Sequence, residues 1–181
     1  ENYMQEEGIE KQRRELYRKR ADYKDSLGAF AWEQTEESHS DFFTANKAIN
    51  WLGEYNDSKP FFLEIGFPGP HPPYDPTPSF LKLYENVDIP LDPVSPEDLG
   101  GQPNALKALR QHNVDVDHDS IVHQLNPSEE SRTRQRKHYL ANVTMIDHAL
   151  GEIVECLENK NLHDNTVVFF TSDHGDCLTD H

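Results

Sequence analysis

The sequence predicts an α/β fold, and two observations carry that expectation. A helix over about Asp41 to Tyr55 is followed, after the breaker Asn56-Asp57-Ser58-Lys59-Pro60, by the buried-strand candidate Phe61–Phe67. A longer helix, Pro127 to about Asn159, leads through the turn Asn161–Asn165 into the apolar run Thr166–Thr171. Helix, short loop and strand in succession are the pattern of an α/β unit. Parallel strands joined through the long helix place their trailing loops on one edge of the sheet.

Each element has a local reason. In the first helix Phe42, Ala45, Ile49 and Leu52 fall at helical spacing, and Ser40 or Ser38 is placed to cap its start. In the second, Asn126 is the expected cap and Pro127 takes the first turn, with Glu129 completing a capping box. Tyr139, Val143, Ile146, Leu150, Ile153 and Leu157 then make one apolar stripe. Residues 1 to about 27 are charged and expected to be helical, with weak apolar periodicity at Ile9, Leu16 and Tyr17. Between Pro68 and Pro78 six prolines in eleven positions fix φ and remove amide donors, so this stretch is a rigid loop. Residues 86 to 126 are loop-rich, with one short helix near Asn104 to His112, and residues 77 to 126 are expected to contribute to a pocket rim.

The bulk numbers bound the class. The 181 residues are 35% hydrophobic and 28% charged, as expected of a globular domain rather than a disordered chain. No apolar stretch approaches the ~18 residues needed to cross a bilayer. The net charge of -16 argues against sequence-independent nucleic-acid binding, which needs basic surface. Cys156 and Cys177 are too few for a disulfide framework. Asn56-Asp57-Ser58 and Asn142-Val143-Thr144 match the glycosylation sequon, but the second lies in a helix whose Val143 is expected to be buried.

The residues that carry chemistry gather at the ends of the two strand candidates. Thr166–Thr171 ends at Ser172 and delivers Asp173-His174-Gly175-Asp176. A carboxylate suits a hard cation and an imidazole a transition metal, and Gly175 would allow the sharp turn that lets neighbours serve one ion. The competing reading makes Asp173 a helix cap and His174 a surface residue. His71, held between prolines, is able to protonate a leaving oxygen or to serve packing alone. Asp115-Val116-Asp117-His118-Asp119 lacks the glycine turn of a calcium loop and reads as a solvated acidic loop.

Taken together, these pieces resemble the sulfatase family of the alkaline-phosphatase superfamily. The resemblance rests on PFFLEIGFPGPHPPYDP (60–76), YLANVTMIDHALGEIVECL (139–157) and NTVVFFTSDHGDCLTDH (165–181), in the family's order. It implies part of a mixed, mainly parallel sheet flanked by helices, incomplete in this chain, with 1–34 a charged surface segment and 35–181 the core with its insertion at 86–126. It implies metal-assisted hydrolysis of a sulfate ester, with His71 catalytic, Asp173 and His174 metal ligands, and His181 a substrate contact. Calcium is the implied metal, and the formylglycine nucleophile of the family would lie outside this chain, since no C/S-x-P-x-R motif is present. The chain alone is therefore expected to be inactive, an internal segment of its parent. The implied partner is a sulfate-ester small molecule or sulfated glycan, in a periplasmic or secreted setting. The rival expectations are a phosphonate monoester hydrolase or phosphodiesterase of the same superfamily, and a non-catalytic α/β binding domain.

Overall fold

The computed structural model describes residues 14–93, 96–116 and 122–180. In chain order its helices are α1 (Arg14–Arg18), α2 (Ser40–Glu54), α3 (Pro78–Leu81), α4 (Pro96–Gly101), α5 (Asn104–Asp115) and α6 (Glu129–Asn159). Single 3-10 turns occupy Glu36–Ser38, Lys82–Tyr84 and His163–Asn165.

The core is the seam between α2 and α6. Phe42, Ala45, Ala48 and Leu52 of α2 meet Met145, Ala149, Ile153 and Leu157 of α6. The alanines let the two helix backbones approach, and burying a side chain such as Leu52 or Met145 contributes about 1.5–3 kcal/mol. The buried stripe of α6 is thus set by Met145 and Ala149 beside Ile146, Ile153 and Leu157, while Val143 is 41% exposed, contrary to expectation.

The helix ends are well satisfied. Ser128, not Asn126, caps α6, its hydroxyl accepting from the Ser131 amide at 3.1 Å. Glu129 and Glu130 then sit in the first turn, where the helix dipole favours acids. At the other end Asn161 takes φ 56°, Leu162 N–H bonds Leu157 O at 2.9 Å and Asn161 N–H bonds Glu158 O at 2.9 Å. These are the paired bonds of a Schellman ending, and Leu162 folds back onto the core. The α2 cap is His39 rather than a serine: its Nδ1 accepts from the Asp41 amide at 3.3 Å.

The expected mixed, mainly parallel sheet is not formed, and the α/β assignment is corrected to a helical fold. Among the described residues β pairing is confined to one parallel bridge, Ala29 with Tyr74. It is held by Phe30 N–H to Tyr74 O at 3.0 Å and Tyr74 N–H to Gly28 O at 2.7 Å. Phe61–Phe67 does lie extended, with Phe61, Leu63, Ile65 and Phe67 against the helical core and Phe62 90% exposed. In Thr166–Thr171 only Thr166 is half-buried and the rest is exposed, Phe169 to 90%. The physical reason is that a strand is a property of a pair. Apolar alternation favours an extended backbone, but a ladder also needs a neighbour to exchange hydrogen bonds with.

The charged amino-terminal stretch is helical over α1 alone within the described residues, then turns through Leu27 and Gly28 at φ 50° and 81°. Tyr17 is buried there, its ring stacked on Phe30 at 4.1 Å. Ile9 and the rest of residues 1–13 lie outside the described residues.

Candidate functional site

Two irregular segments meet at one end of α6. The first is the proline loop, in which the Gly69–Pro70 and Pro72–Pro73 peptide bonds are cis. Its floor is Asp41, 1% exposed at the start of α2, whose Oδ1 accepts the Gly69 amide at 3.0 Å. A Cβ at Gly69 would collide with that carboxylate and press on Ile146, so close approach demands glycine here. Burial pushes the Asp41 carboxyl above the usual range, and the Gly69 amide partly opposes this.

The polar chain continues beneath the loop. His39 places Nδ1 3.6 Å from Asp41 Oδ2 and Nε2 3.7 Å from Asp75 Oδ1. The Tyr17 hydroxyl donates to Asp75 at 2.7 Å, and burial followed by the Asp75 charge drives the Tyr17 hydroxyl far above its ordinary range. A cleft of about 200 Å³ opens above, between Trp32, Asp41, Gly69, His71 and Asn142.

The second segment is the tail, residues 173–180. The Tyr74 hydroxyl donates to the Asp176 carboxylate at 3.2 Å, and the Tyr74 ring meets Tyr139 of α6 edge-on at 5.8 Å. Burial and then Asp176 raise the Tyr74 hydroxyl well beyond its usual range, so it stays a donor. Further on, Arg132 and Arg136 of α6 both grip the Asp180 carboxylate. Arg132 Nε also donates to Thr179 Oγ1 at 3.3 Å. The tight turn that sequence placed at Gly175 occurs instead at Leu178 and Thr179, with φ 47° and 66°.

Three of the four expected site residues lie among the described residues. His71 is exposed at the loop tip, Nδ1 2.7 Å from Pro72 O. Asp173 and His174 are exposed at the tail's start, the His174 amide donating to Asp173 Oδ1 at 2.8 Å. That bond lowers the Asp173 carboxyl, and the neighbouring His174 charge adds to the shift. The Gly175 carbonyl and then Asp173 raise the His174 imidazole. His181, like Asp117, His118 and Asp119, lies outside the described residues. Sequence reasoning missed Asp41, Asp176 and Asp180, each an acid whose partner is far away in the chain. No spacing along the chain signalled these acids, although Arg132 and Arg136, four residues apart, share one face of α6.

The metal expectation is corrected. Among the described residues no three His, Cys, Asp or Glu side chains gather as a metal-holding group. Asp173 and His174 pair with each other, Oδ2 to Nε2 at 3.6 Å, instead of converging with a third ligand. A calcium ion does not fit such a two-group, solvent-open arrangement.

Comparison with known proteins bears on family. The family model described as Sulfatase matches residues 4–181. The chain belongs to the sulfatase family. It is 30% identical over 150 residues to an arylsulfatase of Clostridium perfringens, covering 83% of this chain and 29% of that protein. It is 35% identical over 152 residues to the multifunctional alkaline phosphatase superfamily protein PehA of Trinickia caryophylli, covering 81% and 29%. With mouse iduronate 2-sulfatase the identity is 34% over 148 residues, covering 76% and 26%. This sulfatase-family chain thus spans less than a third of the length of these relatives.

Membership lies in the sequence, and the structure corrects what the resemblance implied beyond it. The sheet that would scaffold sulfate-ester hydrolysis is absent among the described residues, so that activity, its enzyme class and its phosphonate or phosphodiester alternatives are not assigned to this chain. The non-catalytic α/β binding domain presumes the same sheet and falls with them. The sulfate-ester or sulfated-glycan partner and the formylglycine cofactor rested on that chemistry and are withdrawn too. No helix of the described residues is long and apolar enough to cross a membrane.

Proposed function

We propose that this chain is a framework segment: α2 and α6 hold the proline loop and the tail at one rim, where His71, Asp173 and His174 form a polar contact edge. The Tyr74–Asp176 hydrogen bond carries the reading, because it ties the two segments to each other rather than each to the helices alone. Asp41 under Gly69 fixes the loop, and Arg132 and Arg136 on Asp180 fix the tail. The imidazoles and the Asp173 carboxylate are exposed, as contact residues must be. A periplasmic or secreted location goes with this reading and is supported by the family resemblance.

The test is Tyr74→Phe, read by NMR of the histidine rings. The reading expects the His71 and His174 resonances to move together while core methyls of Leu52 and Met145 stay in place. Movement of neither ring would refute a shared rim. Cell fractionation tests the location, and recovery in the cytosol alone would contradict it.

A further inference from the structure

A cleft of about 620 Å³ lies between α6 and the segment made of α3 and the turn Lys82–Tyr84. Both walls belong to this chain and are bonded to each other. The Tyr84 and Thr144 hydroxyls meet at 2.6 Å, and Lys137 Nζ donates to Glu85 O at 2.9 Å. On α6 the lining positions 130, 133, 134, 137 and 138 recur at helical spacing and make one face, which Arg132 and Arg136 do not share. His138 lines the cleft although only 8% exposed. Its Nδ1 lies 2.8 Å from Arg134 O, and a carbonyl only accepts, so Nδ1 carries the proton. Nε2 of the neutral ring is then a bare acceptor, without a hydrogen-bond partner among the described residues. Burial pushes this imidazole down to about 4, so the Nε2 lone pair persists at neutral pH.

We propose that this cleft binds a small uncharged molecule with an apolar ring and one hydroxyl, the hydroxyl donating to His138 Nε2. The buried acceptor chooses that ligand. An anion would set its own lone pairs against that of Nε2, whereas a hydroxyl completes the bond the imidazole lacks. The cations nearby do not reverse this preference. Lys137 is engaged with Glu85 O, and Arg134 with the Asp22 carboxylate and the Ala29 carbonyl. Glu85 and Glu130 line the same cleft and offset Lys82. Pro78, Leu81 and the Tyr84 ring supply carbon against which an apolar ring is buried. Apolar walls with one placed polar atom are the usual form of a small-molecule site. This inference stands on His138 and its cleft and does not depend on the Tyr74–Asp176 link.

The test compares three probes at neutral pH: para-cresol, its methyl ether para-methylanisole, which has no donor, and the anion para-toluate. Long-range proton–nitrogen NMR spectra of the histidine rings and backbone amide shifts are followed as each is added to the wild-type chain. Para-cresol should move His138 Nε2 upfield, as an acceptor moves on taking a hydrogen bond, and perturb amides of residues 78–85 and 130–138. It should bind at least about fivefold more tightly than the ether, the worth of one neutral hydrogen bond. His138→Phe keeps a ring and removes the acceptor, so it should erase that preference; should this variant not fold, the wild-type Nε2 shift and the alcohol-to-ether ratio decide. Equal binding of alcohol and ether, an unmoved Nε2, or perturbation elsewhere only would overturn the proposal. Tighter binding of para-toluate would make the cleft an anion site and overturn it equally.

Discussion

The Tyr74 hydroxyl and the Asp176 carboxylate, 102 residues apart, meet at 3.2 Å beside the Tyr139 ring. The loop that carries His71 and the tail that carries Asp173 and His174 are therefore one structural unit. Tyr74→Phe keeps the ring contact and removes the bond. A hydrogen bond to a charged group contributes about 1.5–3 kcal/mol, less where water reaches it. The variant should lose about 1 kcal/mol of stability in urea unfolding, with faster amide exchange in residues 173–180.

Gly69 and Gly66 make a matched pair. At Gly69 an added methyl meets the Asp41 carboxylate and Ile146, whereas at Gly66 nothing lies within 4 Å. Gly69→Ala should cost about 1–3 kcal/mol through forced displacement of the loop. Gly66→Ala should stay within about 0.5 kcal/mol of the parent. Chemical denaturation of the two variants checks the contrast, and equal costs would contradict the close approach.

His138 gives stability a pH dependence. It is buried on α6, its Nδ1 2.8 Å from Arg134 O, and burial pushes the imidazole down to about 4. The unfolded chain takes up this proton near pH 6.5 and the folded chain does so only near 4. Its contribution is therefore complete above about pH 6.5 and is lost as pH falls toward 4. Across that window the wild type should destabilise by up to about 3 kcal/mol from this group. His138→Phe should flatten the slope.

Asp41 acts in the opposite sense. Its carboxyl is raised in the folded state, so the folded chain binds the proton more tightly. Stability from this group is full below the unfolded carboxyl range and falls as pH rises through the raised value. Asp41→Asn should remove that loss while its amide oxygen still accepts from Gly69. Stability curves of the variant and wild type should converge toward acid pH and separate toward neutral pH, the variant becoming relatively more stable.

Much of the helical frame was legible. The long helix ends at Asn159 as periodicity requires, and α5 begins at Asn104. These are local properties: spacing, breakers and caps. The caps themselves shifted by one or two residues, to Ser128 and His39, because several adjacent polar residues could each serve. The sheet was misread for a different reason. Phe61–Phe67 has a strand's alternation, but pairing is non-local, and periodicity does not reveal whether a neighbour exists. The site divided likewise. His71, Asp173 and His174 stood out by residue type, while Asp41, Asp176 and Asp180 hold them through partners tens of residues away. Nothing in the spacing of a single chain announces such links.

The joined rim is tested most directly by a nitroxide on Cys177, which is exposed and follows Asp176. With Cys156 replaced by alanine, paramagnetic broadening of backbone amides is recorded. Strong broadening at Gly69, His71 and Tyr74, lost on Tyr74→Phe, is the expected result. Sharp loop amides beside a labelled Cys177 would show that loop and tail do not share a rim.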